Sequence, residues 1–248
     1  MPAAVPKNIP QVESAYEADP RHRLIVALDV STAAAAQKIV AAVGESASTY
    51  KVGMQLFTAE GPAIVRDLVA SGRRVFLDLK YHDIPNTVGA AVSEAAKLGV
   101  SMLTVHASGG ARMLRAAAEG AQSAADLTVL AVTVLTSMGA EDLDQIGMPG
   151  TVEKSVVNLA GLALASGCRG IVTSAREAPA VRASLGHAFS IVTPGVRPAG
   201  TAVGDQVRVV TPAQAIAAGA THIVVGRPIT DAADPAAAAL AILKEIRK

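Results

Sequence analysis

The chain has 248 residues, 51% of them hydrophobic and 17% charged, with a formal net charge of +1. That fits one domain of α/β-barrel size or two small ones, and there is ample apolar material for a core. The near-neutral charge gives no strong pull on a polyanion, and 2% aromatics without Trp leave little for base stacking, so nucleic-acid binding is not expected.

Residues 1–22 carry prolines and mixed charges but no apolar core of a signal peptide, and read as a mobile N-terminal extension. The catalytic domain is expected to span 23–248 as a single unit. Apolar, β-branched-rich runs then recur at strand–helix intervals: Leu24–Val30, Tyr50–Met54, Arg74–Lys80, Met102–Ala107, Thr128–Leu135, Gly170–Ser174, Ser190–Val196 and His222–Pro228. Between them lie Ala-rich segments of helical period, among them Ser31–Val43, Gly61–Ser71, Val88–Leu98, Ala111–Ala124 and Val152–Ala165. Gly72, Gly99, Gly167 and Gly219 stand where helices should stop. Cys168, the single cysteine, excludes an intrachain disulfide and reads as a buried structural thiol. Runs apolar on both faces suit parallel strands covered by helices. Eight such units with no second composition regime predict an α/β fold, a TIM (β/α)8 barrel. An open doubly wound sheet is the alternative, weakened because no Gly-x-Gly-x-x-Gly follows the first run. No apolar stretch reaches membrane-spanning length, and a soluble cytoplasmic protein with no membrane partner is expected.

In a barrel, chemistry belongs at the C-terminal ends of the strands. Asp29, Lys51, Asp78 and Lys80 sit inside or at the very end of apolar runs, where an unpaired charge is costly. Strand alternation turns Asp78 and Lys80 to one face and Leu77 and Leu79 to the other. Asp83 follows within three residues of Lys80. A structural ion pair at a strand end is the plain alternative to a catalytic array. His82 reads as a loop residue and His106 as a hydrogen-bonded barrel residue. Neither has the neighbours of a metal site, so no metal and no cofactor are expected.

At the other side of the rim, Gly226-Arg227 after the eighth run fits a phosphate site. Gly lets backbone N–H approach an anion, and Arg supplies a bidentate fork. Gln206, in the loop after the seventh run, could donate an amide N–H to the same anion. The segment Pro198–Asp205, with Gly200 and Gly204, reads as a mobile lid.

Asp78-x-Lys80-x-x-Asp83-Ile84-Pro85-Asn86-Thr87 resembles the signature of the orotidine 5′-phosphate decarboxylase family. The shorter Asp-x-Lys-x-x-Asp is shared with sugar-phosphate relatives, and the Ile-Pro-Asn-Thr continuation is narrower. Further blocks resemble that family in order: Ala27-Leu28-Asp29, Lys51-Val52-Gly53, Val105-His106, Leu135-Thr136-Ser137, Pro194 to Pro198, Asp205-Gln206 and Gly226-Arg227-Pro228. The resemblance implies a cofactor-independent lyase that converts orotidine 5′-monophosphate to UMP and CO2 in pyrimidine biosynthesis. It places Lys80, Asp78, Asp83 and Lys51 in catalysis, with Lys80 stabilising charge at C6 and donating the proton. It places Asp29 and Lys51 on the ribose, Thr136 and Ser137 near the pyrimidine, and Arg197, Gln206, Gly226 and Arg227 on the phosphate. Asp78 also lies against the substrate. A homodimer with shared sites is implied, in which Asp83 and Thr87 reach the partner's site. Two other readings remain at this stage: a metal-dependent sugar-phosphate decarboxylase or aldolase of the same superfamily, and a non-catalytic nucleotide-binding barrel. An intact Lys80 between two acids speaks against the latter.

Overall fold

The computed structural model describes residues 19–198 and 210–247. Eight parallel strands close in sequence order into a barrel: β1 (Leu24–Ala27), β2 (Thr49–Gly53), β3 (Arg74–Tyr81), β4 (Met102–His106), β5 (Thr128–Val132), β6 (Gly170–Val172), β7 (Ser190–Thr193) and β8 (His222–Val225). β1 and β8 close the ring through Leu24–Ile223 and Val26–Val225. The expected TIM barrel is therefore the fold observed.

Alternation along the strands sorts side chains into two cores. Ile25, Ala27, Phe76, Met102, Leu130, Val192 and Val224 fill the barrel interior. Their sequence neighbours, such as Leu24, Val26, Leu77, Leu103 and Ile191, point outward and pack under the helices. Both faces are dry, which is why the strands read as continuous apolar runs. Helix Pro85–Lys97 lies against helix Gly110–Gly120 at very short range. A Cβ on Gly120 would fall 2.5 Å from the Gly89 carbonyl oxygen, so only glycine allows that approach. The four glycines expected as helix stops all take positive φ just past a helix end.

Two expectations need correction. Several strands are shorter than their apolar runs: β1 ends at Ala27 and β5 at Val132, though Leu28 and Val134 remain buried. Residues 19–22, expected as part of the extension, instead belong to a capped turn. Asp19 accepts from the Arg21 backbone N–H, and a 3-10 turn at Pro20–Arg23 leads directly into β1. Residues 1–18, most of the expected lid and Gln206 lie outside the described residues. Cys168 is buried as expected, and burial pushes its thiol up to about 12. Among the described residues, no helix is long and apolar enough to cross a membrane.

His222 opens β8 with no exposed surface, its Nδ1 2.8 Å from Thr221 Oγ1. Burial first, then the charges of Arg74, Arg23 and His22, hold its pKa down at about 3. An unfolded histidine titrates near 6.5, so below that pH the unfolded chain binds a proton that the fold refuses. Stability is thus fully present above about pH 6.5 and falls as the pH drops. His222 alone should cost about 2 kcal/mol at pH 5 relative to pH 7. Denaturant titrations at the two pH values check this, with His222→Asn expected to show a smaller difference between them.

Candidate active site

The site stands at the C-terminal rim, where one irregularity decides its geometry. β3 and β4 pair regularly at Leu77–Leu103 and next at Tyr81–Val105. Between those pairs the three residues Asp78, Leu79 and Lys80 face the single residue Thr104. Such a bulge leaves backbone groups of the longer strand without ladder partners. Here the Lys80 N–H donates to Thr104 Oγ1 at 2.9 Å. Lys80 also takes φ 51°, the one positive φ of a non-glycine among the described residues. That conformation costs a β-carbon residue about 1–2 kcal/mol and is concentrated at functional positions.

The bulge keeps Leu79 and Tyr81 on the helix side while Asp78 and Lys80 turn to the pocket. Lys80 Nζ donates to both Asp78 carboxylate oxygens at 2.9 Å. Thr104 Oγ1 donates to Asp78 Oδ1, also at 2.9 Å. On the other side Lys51 Nζ lies 3.8 Å from Asp78 Oδ2 and 2.9 Å from Asp29 Oδ1. Register explains the neighbourhood: Ala27 pairs Lys51, and Lys51 pairs Phe76. Charges therefore alternate along Asp29–Lys51–Asp78–Lys80 and sum to zero. The three inner side chains keep only 12, 13 and 25% exposure, and mutual neutralisation makes that burial tolerable. Gly53 completes the fit. A Cβ there would fall 2.9 Å from Lys51 Nζ.

Two cavities meet at this array, sharing Lys51, Asp78, Pro194 and Val224. The smaller, about 170 Å³, is lined by Lys80, Phe76, Val132, Val172, Leu135 and Thr136. It offers a flat ring an apolar slot with charge on one wall. The larger, about 660 Å³, takes in Asp29, Gly195, Arg197, Gly226 and Arg227. Arg197 is buried to 8% exposure, and burial, then the Arg227 charge, lowers its pKa. Two guanidinium groups facing one recess form a place for an anion. A third hollow lies toward the N-terminal ends of β5 and β6, where the Arg169 guanidinium is already engaged by the Ala125 and Leu127 carbonyls.

The structure thus gathers Asp29, Lys51, Asp78, Lys80, Thr136, Arg197, Gly226 and Arg227 around one two-lobed pocket. Ser137 is exposed beside it. Asp83 and Thr87 are exposed and line neither lobe. The Asp83 carboxylate accepts from the Ile84 N–H at 2.6 Å, and no ion pair joins it to Lys80 within the chain. The rings of His82 and His106 lie tilted at 37° to each other, with centroids 5.4 Å apart. Burial first, then His82 and Lys80, lowers the pKa of His106. Among the described residues, no group of three or more metal-ligating side chains occurs. Thr104 is the residue that sequence reasoning missed, because a threonine inside a β-branched strand carries no signal of its own.

A closed parallel barrel with a chain of alternating charges on its C-terminal rim, beside a recess lined by two arginines, has the layout of a TIM-barrel enzyme. Residues 22–242 match the orotidine 5′-phosphate decarboxylase / HUMPS family, and the chain belongs to that family. It is 56% identical over 223 residues to an orotidine 5′-phosphate decarboxylase of Anaeromyxobacter dehalogenans, covering 90% of this chain and 97% of the relative. It is 56% identical over 225 residues to that of Halorhodospira halophila, covering 90% and 95%. The crystal structure of orotidine 5′-phosphate decarboxylase from Lactobacillus acidophilus superposes with a TM-score of 0.82 at 39% identity, covering 91% of this chain and 99% of that one.

Proposed function

We propose that this enzyme decarboxylates orotidine 5′-monophosphate to UMP, using its own side chains and no cofactor. The observation that carries the reading is the continuous Asp29–Lys51–Asp78–Lys80 array spanning both lobes of the pocket. The phosphate occupies the Arg197–Arg227 recess, with Gly226 and Gln206 beside it. Asp29 and Lys51 hold the ribose hydroxyls. The pyrimidine enters the apolar slot near Thr136 and Ser137, which brings C6 to the Lys80 ammonium.

Breaking the C6–carboxylate bond releases CO2 and leaves its electron pair in an sp2 orbital on C6, poorly delocalised into the ring. The ammonium of Lys80 stabilises that charge as it forms, and one Nζ proton then moves to C6 to give UMP. The amine regains a proton from solvent. Asp78 holds the Lys80 ammonium in place through both carboxylate oxygens, and the buried array costs no reorganisation during the step. Phosphate binding contributes remotely, by fixing the ring against Lys80.

The active unit in this proposal is a homodimer. Asp83, Ile84 and Thr87 lie together on an exposed stretch, and Ile84 keeps 65% exposure despite its apolar side chain. A second copy seated there buries Ile84 and receives Asp83 and Thr87 at its own rim. The catalytic unit in this proposal is the barrel, entered through the turn at Pro20–Arg23, and the cytoplasm is the proposed location of the enzyme.

The test is direct. The protein is mixed with orotidine 5′-phosphate and excess EDTA, and the ultraviolet change to UMP is followed. Continued turnover is expected. Activity lost with EDTA and regained with Mg2+ favours the sugar-phosphate reading. Tight UMP binding without turnover favours a silent barrel. Arg227→Ala should lower kcat/KM for orotidine 5′-phosphate by about 10- to 100-fold, since a charge-assisted hydrogen bond contributes about 1.5–3 kcal/mol. The phosphate-free nucleoside should be unaffected, and an equal loss for both substrates places Arg227 away from the phosphate.

A further inference from the structure

We infer that Thr104 is a positioning residue of the reaction, a hydroxyl relay that holds Lys80 and Asp78 in the geometry the ammonium needs. The inference rests on the decarboxylase reading for its kinetic consequence but not for its geometry. Thr104 is wholly buried on the pocket-facing side of β4, and it is the single residue opposite three of β3. Its hydroxyl has one proton. Asp78 Oδ1 can only accept, so that proton goes to Asp78, and a lone pair receives the Lys80 N–H. The two bonds have fixed directions and cannot both reverse.

This single oxygen therefore connects the backbone of Lys80 to the carboxylate that holds the Lys80 ammonium. Lys80 Nζ reaches Asp78 Oδ1 and Oδ2, and Thr104 reaches Oδ1, so main chain, hydroxyl, carboxylate and ammonium form one closed loop. A lysine at φ 51° has no favourable local reason to stay there. Within the loop, moving the backbone breaks the bond to Thr104, and turning the carboxylate breaks the bond from it. Loss of the hydroxyl frees both motions at once. Lys51, on the far oxygen of Asp78, does not replace either bond. A purely structural threonine would satisfy the bulge without affecting where the ammonium sits.

The test compares Thr104→Val, which keeps the shape and removes the hydroxyl, with Thr104→Ser, which keeps the hydroxyl. Thr104→Val should lower kcat by about 100-fold, the scale of a small misplacement of a reacting group, with UMP affinity within about two-fold of wild type. Thr104→Ser should retain at least about a third of wild-type kcat. A second readout does not depend on turnover. In 15N-lysine-labelled protein, the Lys80 ammonium signal, assigned by its disappearance in Lys80→Ala, should shift and exchange its protons faster in Thr104→Val and stay near its wild-type position in Thr104→Ser. Inactive wild-type protein would refute the decarboxylase reading, and the ammonium signal would still decide the role of Thr104. An unchanged ammonium signal in Thr104→Val overturns the inference, as does equal damage by Val and Ser or a loss confined to UMP affinity. If Thr104→Val does not fold, Thr104→Ala carries the same expectations. Failure of both to fold means that Thr104 is structural and overturns the inference too.

Discussion

Lys80→Ala is expected to abolish decarboxylation while leaving a folded protein that still binds UMP. Two contributions disappear together. Fixed charge at the reacting carbon is worth about 10²–10³ in rate, and a positioned proton donor about 10²–10⁴. Their product sets the expected loss in kcat at about 10⁴- to 10⁷-fold. UMP affinity should persist, because the proposed phosphate and ribose contacts come from Arg197, Arg227, Asp29 and Lys51, on other strands and loops. The fold should persist because Lys80 lies at the rim, beyond both apolar cores, at 25% exposure. The strained φ at position 80 remains, since alanine carries a Cβ as well. Asp78 then keeps Thr104 and Lys51 as partners. A variant that keeps a tenth of wild-type activity would show that Lys80 does not act at C6.

The barrel and most of the rim are legible in the sequence for one physical reason. Helices cover every strand, so the strands must be apolar on both faces, and a charge inside such a run stands out. Asp29, Lys51, Asp78 and Lys80 are conspicuous on that ground. Strand ends are less legible. Leu28 and Val134 stay buried beyond the strand ends at Ala27 and Val132, so apolar composition runs on after the strands stop. Helix Met54–Glu60 directly follows β2 with Gly53 at its start, and no change of apolar character marks the switch. The bulge in β3 is invisible for a different reason. It preserves the in–out alternation of Leu77, Asp78, Leu79, Lys80 and Tyr81, and differs from a plain strand in its register with β4 and in the positive φ of Lys80, neither of which the residue types announce. Thr104 shares that obscurity, because its role depends on what faces it. Asp83 is the opposite case. Its place in the motif is plain from the sequence, yet its carboxylate bonds locally to Ile84, and its proposed work lies on another copy of the chain.

That last assignment gives the second large effect. Lys80→Ala and Asp83→Ala should each be nearly inactive as homodimers. Mixed together after subunit exchange, they should regain activity. In a dimer of one chain of each kind, one site inherits both defects. The other receives an intact Lys80 from one chain and an intact Asp83 from the other. A two-fold interface makes the exchange reciprocal, so each mixed dimer holds one good site. Equimolar random reassembly yields about half mixed dimers, and hence about a quarter of wild-type sites. The recovered activity should rise with the fraction of mixed dimers, measured by tagging one variant and isolating the heterodimer. If Asp83 serves its own chain, every site in the mixture carries one defect. Activity then stays at the average of the two parents however complete the exchange. That outcome would remove Asp83 from the partner's rim and leave the chemistry at Lys80 where it is.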